Sequence, residues 1–182
     1  IGLLFFMMAG VMVVFLKKNP EVMERRMRTK EKETVQKKFV GAVGVLFTAG
    51  FLIVGFDRRW DWSFVPAAMV ILAEVMVVFG YAVFILVMRE NRFLSRTVEV
   101  DPDQKVITTG PYGIVRHPMY VAVTVLYLFT PIALGSYWAL IPFALTAAMF
   151  PVRILNEEKV LLRDLPGYKD YTKKTRYRLI PG

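Results

Sequence analysis

The 182-residue sequence predicts an all-α integral membrane protein with about five transmembrane helices, and three observations carry that prediction. Hydrophobic residues make up 55% of the chain, and its mean hydropathy is +0.45. That balance leaves too little polar surface for a soluble domain of this size. The apolar residues fall in long runs, and the basic residues are confined to alternate connections between them.

Taken in order, Ile1–Leu16 contains no charge. A signal peptide carries its positive charge ahead of the apolar stretch, whereas Lys17 and Lys18 follow this one, so it reads as a true span. In the basic segment Lys17–Lys38, Glu21, Glu24, Glu31 and Glu33 alternate with lysine and arginine. That pattern suits a surface helix near lipid headgroups, or a solvated charged linker. Phe39–Phe56 is uncharged, and Val65–Met88 contains one charge, Glu74. Met119–Leu134 and Tyr137–Val152, split by Gly135-Ser136, form the fourth and fifth runs. Crossing a bilayer takes roughly 20 apolar residues, so these last two are short and read as a tight helical hairpin. Residues 1–88 thus form three spans with a basic loop, and residues 89–182 a connector, the hairpin and a tail. In the connector, Thr97–Val100 and Lys105–Thr108 are β-prone runs around the turn-forming Asp101-Pro102-Asp103. They predict a small hairpin or a clamped extended loop.

Charge sets the expected orientation. Lys17–Lys38 holds nine Lys/Arg, Arg89–Arg116 five, and the tail from Arg153 eight, against two in Asp57–Phe64 and none in Gly135-Ser136. With five spans that is 22 against 2, which places the rich side and the C-terminus in the cytoplasm. The net charge of +9 then reports topology and affinity for anionic membrane lipids, with no nucleic-acid partner. The absence of cysteine excludes disulfides, thiolate metal sites and cysteine nucleophiles. A single histidine argues against a histidine-rich metal or haem centre, so no metal is expected.

Two clusters could carry chemistry. The first is Gly110-Pro111-Tyr112-Gly113-Ile114-Val115-Arg116-His117-Pro118-Met119-Tyr120. Pro118 suits the first turn of a helix, and free N–H groups there, with Arg116, would make a site for a carboxylate or phosphate. Singly, these residues read as a turn, a cap, a lone structural histidine and an interfacial tyrosine. The second is Arg153, Asn156, Glu157 and Glu158, where the fifth span leaves the membrane. Arg153 and Glu157, four apart on a helix, share one face and can pair; the plain alternative is a snorkelling arginine beside an exposed acidic turn. The clusters lie at the two ends of one hairpin and can meet.

Gly110-Pro111-Tyr112 followed by Arg116-His117-Pro118-Met119-Tyr120 resembles the signature of the isoprenylcysteine carboxyl methyltransferase family and its bacterial relatives. Arg153 with Glu157-Glu158, then Gly167-Tyr168, Tyr171 and Arg178-Leu179-Ile180-Pro181, agree with it, so the resemblance covers about residues 97–182. It implies a pocket for S-adenosylmethionine on the cytoplasmic side. Gln104, Lys105, Val106 and Ile107 would line the cofactor, largely through backbone groups. Tyr112 and the run His117, Pro118, Met119 and Tyr120, with Arg116, would hold its adenosine and amino-acid portions. Glu157 would take a polar end of the cofactor, and Arg153 would face the methyl acceptor. Relatives often carry a polar histidine or asparagine near Gln104, and here Lys105 adds a charge beside the pocket.

Methyl transfer from a sulfonium is an in-line displacement that depends on alignment. A carboxylate acceptor is already ionised and needs no base, and Arg153 would orient it bidentately. An amine acceptor would need a proton removed, with Glu157 or Glu158 available. The expected partner is a lipid-like or prenylated acceptor, with a phospholipid amine as the alternative. Two further alternatives are a sterol-type reductase using NADPH, for which 182 residues are few, and a non-catalytic scaffold, against which the two intact clusters argue. Glu74, near the middle of the third span, reads as a neutral interhelical glutamate rather than a grip on a polar acceptor group.

Overall fold

A computed structural model describes residues 2–27, 34–95, 97 and 99–181. Among them the chain is helical, with no strand: α1 (Gly2–Lys18), α2 (Pro20–Met27), α3 (Thr34–Trp60), α4 (Ala67–Glu90), α5 (Pro118–Ala133), α6 (Leu140–Ala148), α7 (Phe150–Asp164) and α8 (Tyr168–Lys174), with a 3₁₀ turn at Gly110–Gly113. Three helical stretches are long and apolar enough to cross a membrane: Lys37–Trp60, Ala67–Glu90 and Leu140–Asp164. Pro118–Ala133 is a shorter apolar helix. Val45, Leu52, Ile71, Val75 and Phe79 face outward on α3 and α4, a pattern that suits lipid rather than water as the surrounding medium.

The structure sharpens two sequence expectations. The helix on which Arg153 and Glu157 were expected to share a face follows the fifth apolar run directly and continues as an amphipathic helix to Asp164, with a break where α6 meets α7. Pro151 has no N–H to give the preceding turn, and Val152 N–H instead reaches back to the Met149 carbonyl at 3.2 Å. Of the two forms expected for the β-prone connector, the described residues show no ladder and take the second, a clamped extended loop. Gln104 N–H closes the turn on the Asp101 carbonyl, and the Gln104 side-chain oxygen accepts from Asp101 N–H. Arg25 of α2 pairs with Asp101, and Ser95 Oγ donates to the Arg25 carbonyl. The loop therefore bonds to a surface helix and its own turn rather than to a second strand. The basic segment is helical over Pro20–Met27; residues 28–33, with Glu31 and Glu33, lie outside the described residues, as do Arg96 and Val98.

Small residues bring the helices together, as they must where apolar contact gains nothing over lipid. A Cβ on Gly80 of α4 would meet Val125 Cγ1 at 3.1 Å and the Ala122 carbonyl of α5 at 3.3 Å. At one end of the bundle the buried Asp57 carboxylate accepts from Ser63 N–H and Oγ and from Ser136 Oγ. That latch ties the α3–α4 connection to the α5–α6 turn, so the two segments poor in basic residues lie together. The basic loop, connector and tail gather at the other end around the site.

Candidate active site

The two sequence clusters meet. Pro118 opens α5, where its fixed φ suits a first turn, and this directs His117 and Tyr120 toward α7. Arg153, Glu157 and Glu158 come from the first two turns beyond the α6–α7 bend. A cavity of about 250 Å³ lies between them. Its wall includes Gln104, Lys105, Val106 and Ile107 from the connector, Tyr112 from the 3₁₀ turn, Arg116 to Tyr120, and Arg153 and Glu157 from α7. Glu158 is not on the wall, and neither is Glu74, which is half-buried on α4.

Tyr120 is the pivot of the inner wall. Its hydroxyl donates to Glu157 Oε2 at 2.7 Å and accepts from Arg153 Nε at 2.9 Å. A phenol from the facing helix thus bonds to both Arg153 and Glu157, which share one face of α7. The Arg153 guanidinium also lies 5.1 Å from the centre of the Phe39 ring, a cation–π arrangement at the edge of an apolar lobe. Phe39, Val43, Val123, Tyr127 and Phe150 line that lobe. Nothing in the sequence distinguished these residues, because each belongs to an ordinary apolar run.

Behind the wall, Glu158 is a buried hub. It accepts from Arg116 Nε at 2.7 Å and from Arg178 Nε at 2.8 Å, and His117 Nε2 lies 3.3 Å from the oxygen that Arg116 holds. Arg116 also donates to the tail: Nη1 reaches the carbonyls of Thr175 and Arg176 at 3.0 and 2.8 Å. The backbone N–H groups of Arg116 and His117 donate to the carbonyls of Tyr177 and Arg178. Arg116, the side chain expected to complete an anion site with the first-turn N–H groups of α5, is thus bonded to Glu158 and the tail, and the first-turn Tyr120 N–H donates to the His117 carbonyl at 3.1 Å. His117 Nδ1 lies 4.0 Å from Glu157 Oε1, so the ring stands between the two glutamates.

The outer wall is built on tyrosines. Asn91 Nδ2 donates to the Tyr112 hydroxyl at 3.0 Å, and the Tyr171 hydroxyl donates to the Tyr112 carbonyl at 2.8 Å. Gly110, at φ +56°, makes the turn that delivers Tyr112; a Cβ there would meet the Glu90 carboxyl carbon at 3.1 Å. Burial pushes the Tyr112 hydroxyl well above the usual phenol range, and pushes Tyr171 up to about 12. Tyr168 and Tyr171 pack with Leu165 against Val100, Val106 and Leu161. The tyrosines of α8 were visible as part of a motif, but Asn91 carried no signal in the sequence. Among the described residues no group of three or more His, Asp or Glu side chains is placed to hold a metal ion.

Comparison with known proteins bears on this geometry. Residues 69–163 match the sequence model of the isoprenylcysteine carboxyl methyltransferase (ICMT) family. The match begins within α4 and stops one residue short of the end of α7. The chain is 30% identical over 132 residues to a nickel-cobalt-cadmium resistance protein, NccN, of Alcaligenes xylosoxydans xylosoxydans, covering 68% of this chain and 55% of that protein. It is also 30% identical over 141 residues to a protein-S-isoprenylcysteine O-methyltransferase of Dictyostelium discoideum, covering 72% of this chain and 59% of that one. The solved structure of the eukaryotic intramembrane Ras methyltransferase ICMT shares the fold at a TM-score of 0.64 and 18% identity, over 94% of this chain and 64% of that one. The chain thus spans less than two thirds of the length of each of these relatives.

Proposed function

The chain belongs to the isoprenylcysteine carboxyl methyltransferase family, and from that premise we propose that it is an integral membrane, S-adenosylmethionine-dependent methyltransferase acting on a lipid-like carboxylate, such as that of a prenylated cysteine. The observation that carries this reading is the Arg153–Tyr120–Glu157 chain. It stands where the polar part of the cavity meets the apolar lobe at Phe39, Tyr127 and Phe150.

The lining suits a zwitterionic adenosyl ligand. Glu157 offers an acceptor for an ammonium, Lys105 and Gln104 offer donors for a carboxylate, and a buried Tyr168 hydroxyl lacks a partner among the described residues. Val106, Ile107, Tyr112, Pro118, Met119 and Tyr120 would hold the remainder by packing and backbone contact, with Arg116 and His117 fixing the floor from behind. When bound, the cofactor supplies an electrophilic methyl group. Arg153 would orient an acceptor carboxylate by charge-assisted hydrogen bonds, while the apolar lobe takes its hydrocarbon and excludes water from the approach. Tyr120 would hold Arg153 and Glu157 at a fixed separation, and alignment is what this reaction needs. Glu158, already committed to Arg116, His117 and Arg178, would act by positioning. An amine acceptor is not favoured, because Glu157 already accepts the Tyr120 proton and Glu158 is off the wall.

The same reading includes a five-span topology, with α1, α3, α4, α5 and the α6–α7 helix crossing the bilayer and the pocket facing the cytoplasm. Clustering of the basic segments at the cavity end supports that orientation. The test is calorimetric titration of detergent-solubilised protein with S-adenosylhomocysteine, paired with methyl transfer to an S-prenylated N-acylcysteine. Arg153→Lys keeps the charge but loses the planar fork. It should leave S-adenosylhomocysteine affinity near wild type and cut turnover steeply. A fully active lysine variant, or wild-type protein that binds no S-adenosylhomocysteine, would overturn the proposal.

A further inference from the structure

Three tyrosines of the cavity wall have partners for their hydroxyls: Tyr112 on Asn91, Tyr120 between Arg153 and Glu157, and Tyr171 on the Tyr112 carbonyl. Tyr168 does not. Its side chain is 4% exposed and lines the cavity, and its hydroxyl has no hydrogen-bond partner among the described residues. Folded proteins pair nearly all buried polar groups, so an orphan on a cavity wall calls for a ligand. Phenylalanine would pack as well against Leu161, Leu165 and Val106 without the desolvation cost of the hydroxyl. Burial, with Glu158 and Glu157 nearby, pushes its ionisation far up, so it faces any ligand as a neutral O–H donor.

Which part of a ligand it meets follows from the layout of the wall. Methyl transfer must occur at the Arg153 end, next to the apolar lobe. Leu161, which packs against the Tyr168 cluster, is eight residues further along α7, roughly 12 Å along the helix axis. The group at Tyr168 is therefore the end of the cofactor remote from the sulfonium. Glu157, the acceptor offered to the ammonium, lies one turn of α7 back toward Arg153, whereas Val106, Leu161 and Leu165 offer flat apolar contact beside Tyr168. We propose that Tyr168 is a cofactor-binding residue whose hydroxyl donates a hydrogen bond to an acceptor nitrogen of the purine of the adenosyl group. This assignment rests on the methyltransferase reading above.

The experiment titrates wild-type protein and Tyr168→Phe, both as the full chain in detergent, with S-adenosylhomocysteine and with 5′-methylthioadenosine, which lacks the amino-acid half. Melting temperatures are measured alongside. The expected result is that Tyr168→Phe binds both compounds about tenfold more weakly, the size of one lost hydrogen bond in a buried site, with an unchanged or raised melting temperature. On wild-type protein, a deaza analogue of S-adenosylhomocysteine lacking the acceptor nitrogen should show a similar loss, and Tyr168→Phe should lose nothing further. Equal affinities in wild type and variant overturn the assignment. A loss for S-adenosylhomocysteine but not for methylthioadenosine overturns it in favour of the amino-acid half. If every deaza analogue binds wild type normally, the assignment falls without reference to the variant. Wild-type protein that binds neither compound overturns the methyltransferase reading itself, a result distinct from the others.

Discussion

Arg116 donates from Nε to Glu158 at 2.7 Å, and both side chains are about 7% exposed. This pair joins the start of α5 to α7, and Arg116 Nη1 extends it to the carbonyls of Thr175 and Arg176. One carboxylate therefore holds together the hairpin, the tail and the back of the cavity. Breaking a buried pair by removing one partner costs about 3–5 kcal/mol, because the other charge is left uncompensated.

Glu158→Ala should accordingly lower the melting temperature in detergent and weaken S-adenosylhomocysteine binding in parallel. Glu158→Gln, which keeps an acceptor oxygen, should lose less of both. Arg178→Ala should cost less than either, since that side chain is half exposed. If Glu158 took part in the chemistry directly, Glu158→Gln would instead keep its melting temperature and lose only turnover.

Tyr120→Phe isolates the hydroxyl from the ring. The ring packs 5.3 Å from that of Phe150 and should stay in place. Loss of the hydroxyl removes its bonds to both Arg153 and Glu157, so methyl transfer should fall by about tenfold or more, equivalent to roughly 1.4 kcal/mol of transition-state stabilisation. The melting temperature should change little. Turnover equal to wild type would mean the Arg153–Tyr120–Glu157 chain has no part in the reaction.

Orientation is checked with reporters. One fused after Gly182 should read cytoplasmic, and a tag inserted between Asp57 and Phe64 should be labelled from outside, because the proposed five spans would put 22 of 24 basic residues on the other side. A tag near Asp57 should be kept clear of the latch to Ser63 and Ser136. A C-terminus reading outside would remove the assigned span count and site orientation together.

Stability should fall in alkali through the tyrosines outside the spans. Burial raises Tyr112 and Tyr168 far above the ordinary phenol value of 10.0, and Tyr171 to about 12. Each group holds its proton in the folded state at a pH where the unfolded chain has released it. Their contribution is complete below about pH 10 and is lost as pH rises through the folded values. Tyrosinate absorbance should therefore rise together with unfolding, above pH 10, and Tyr171→Phe should flatten the lower part of that dependence, up to about pH 12. Tyrosine ionisation that precedes any loss of helicity would contradict the burial of this wall.

The sequence by itself determined the apolar runs, the segregation of basic residues and the Arg116–Tyr120 and Arg153–Glu158 clusters. Each of these is a local property: hydrophobic length, charge placement and motif spacing are all read along the chain. It also determined where α5 starts, since Pro118 suits a first turn. It did not determine what the members of each cluster do for one another. Arg116 read as an anion site and Glu158 as a chemical group, yet their partners are Thr175, Arg176 and Arg178, some 20 to 60 residues away. The β-prone connector depended equally on a distant choice, because a strand needs a second edge and here α2 supplies the contacts instead. The apolar lobe at Phe39 and Phe150 became distinct from other membrane-facing residues only once α3 and α7 were packed. Hydrogen-bond partners and cavity walls are set by which helices touch, and only the tertiary structure decides that.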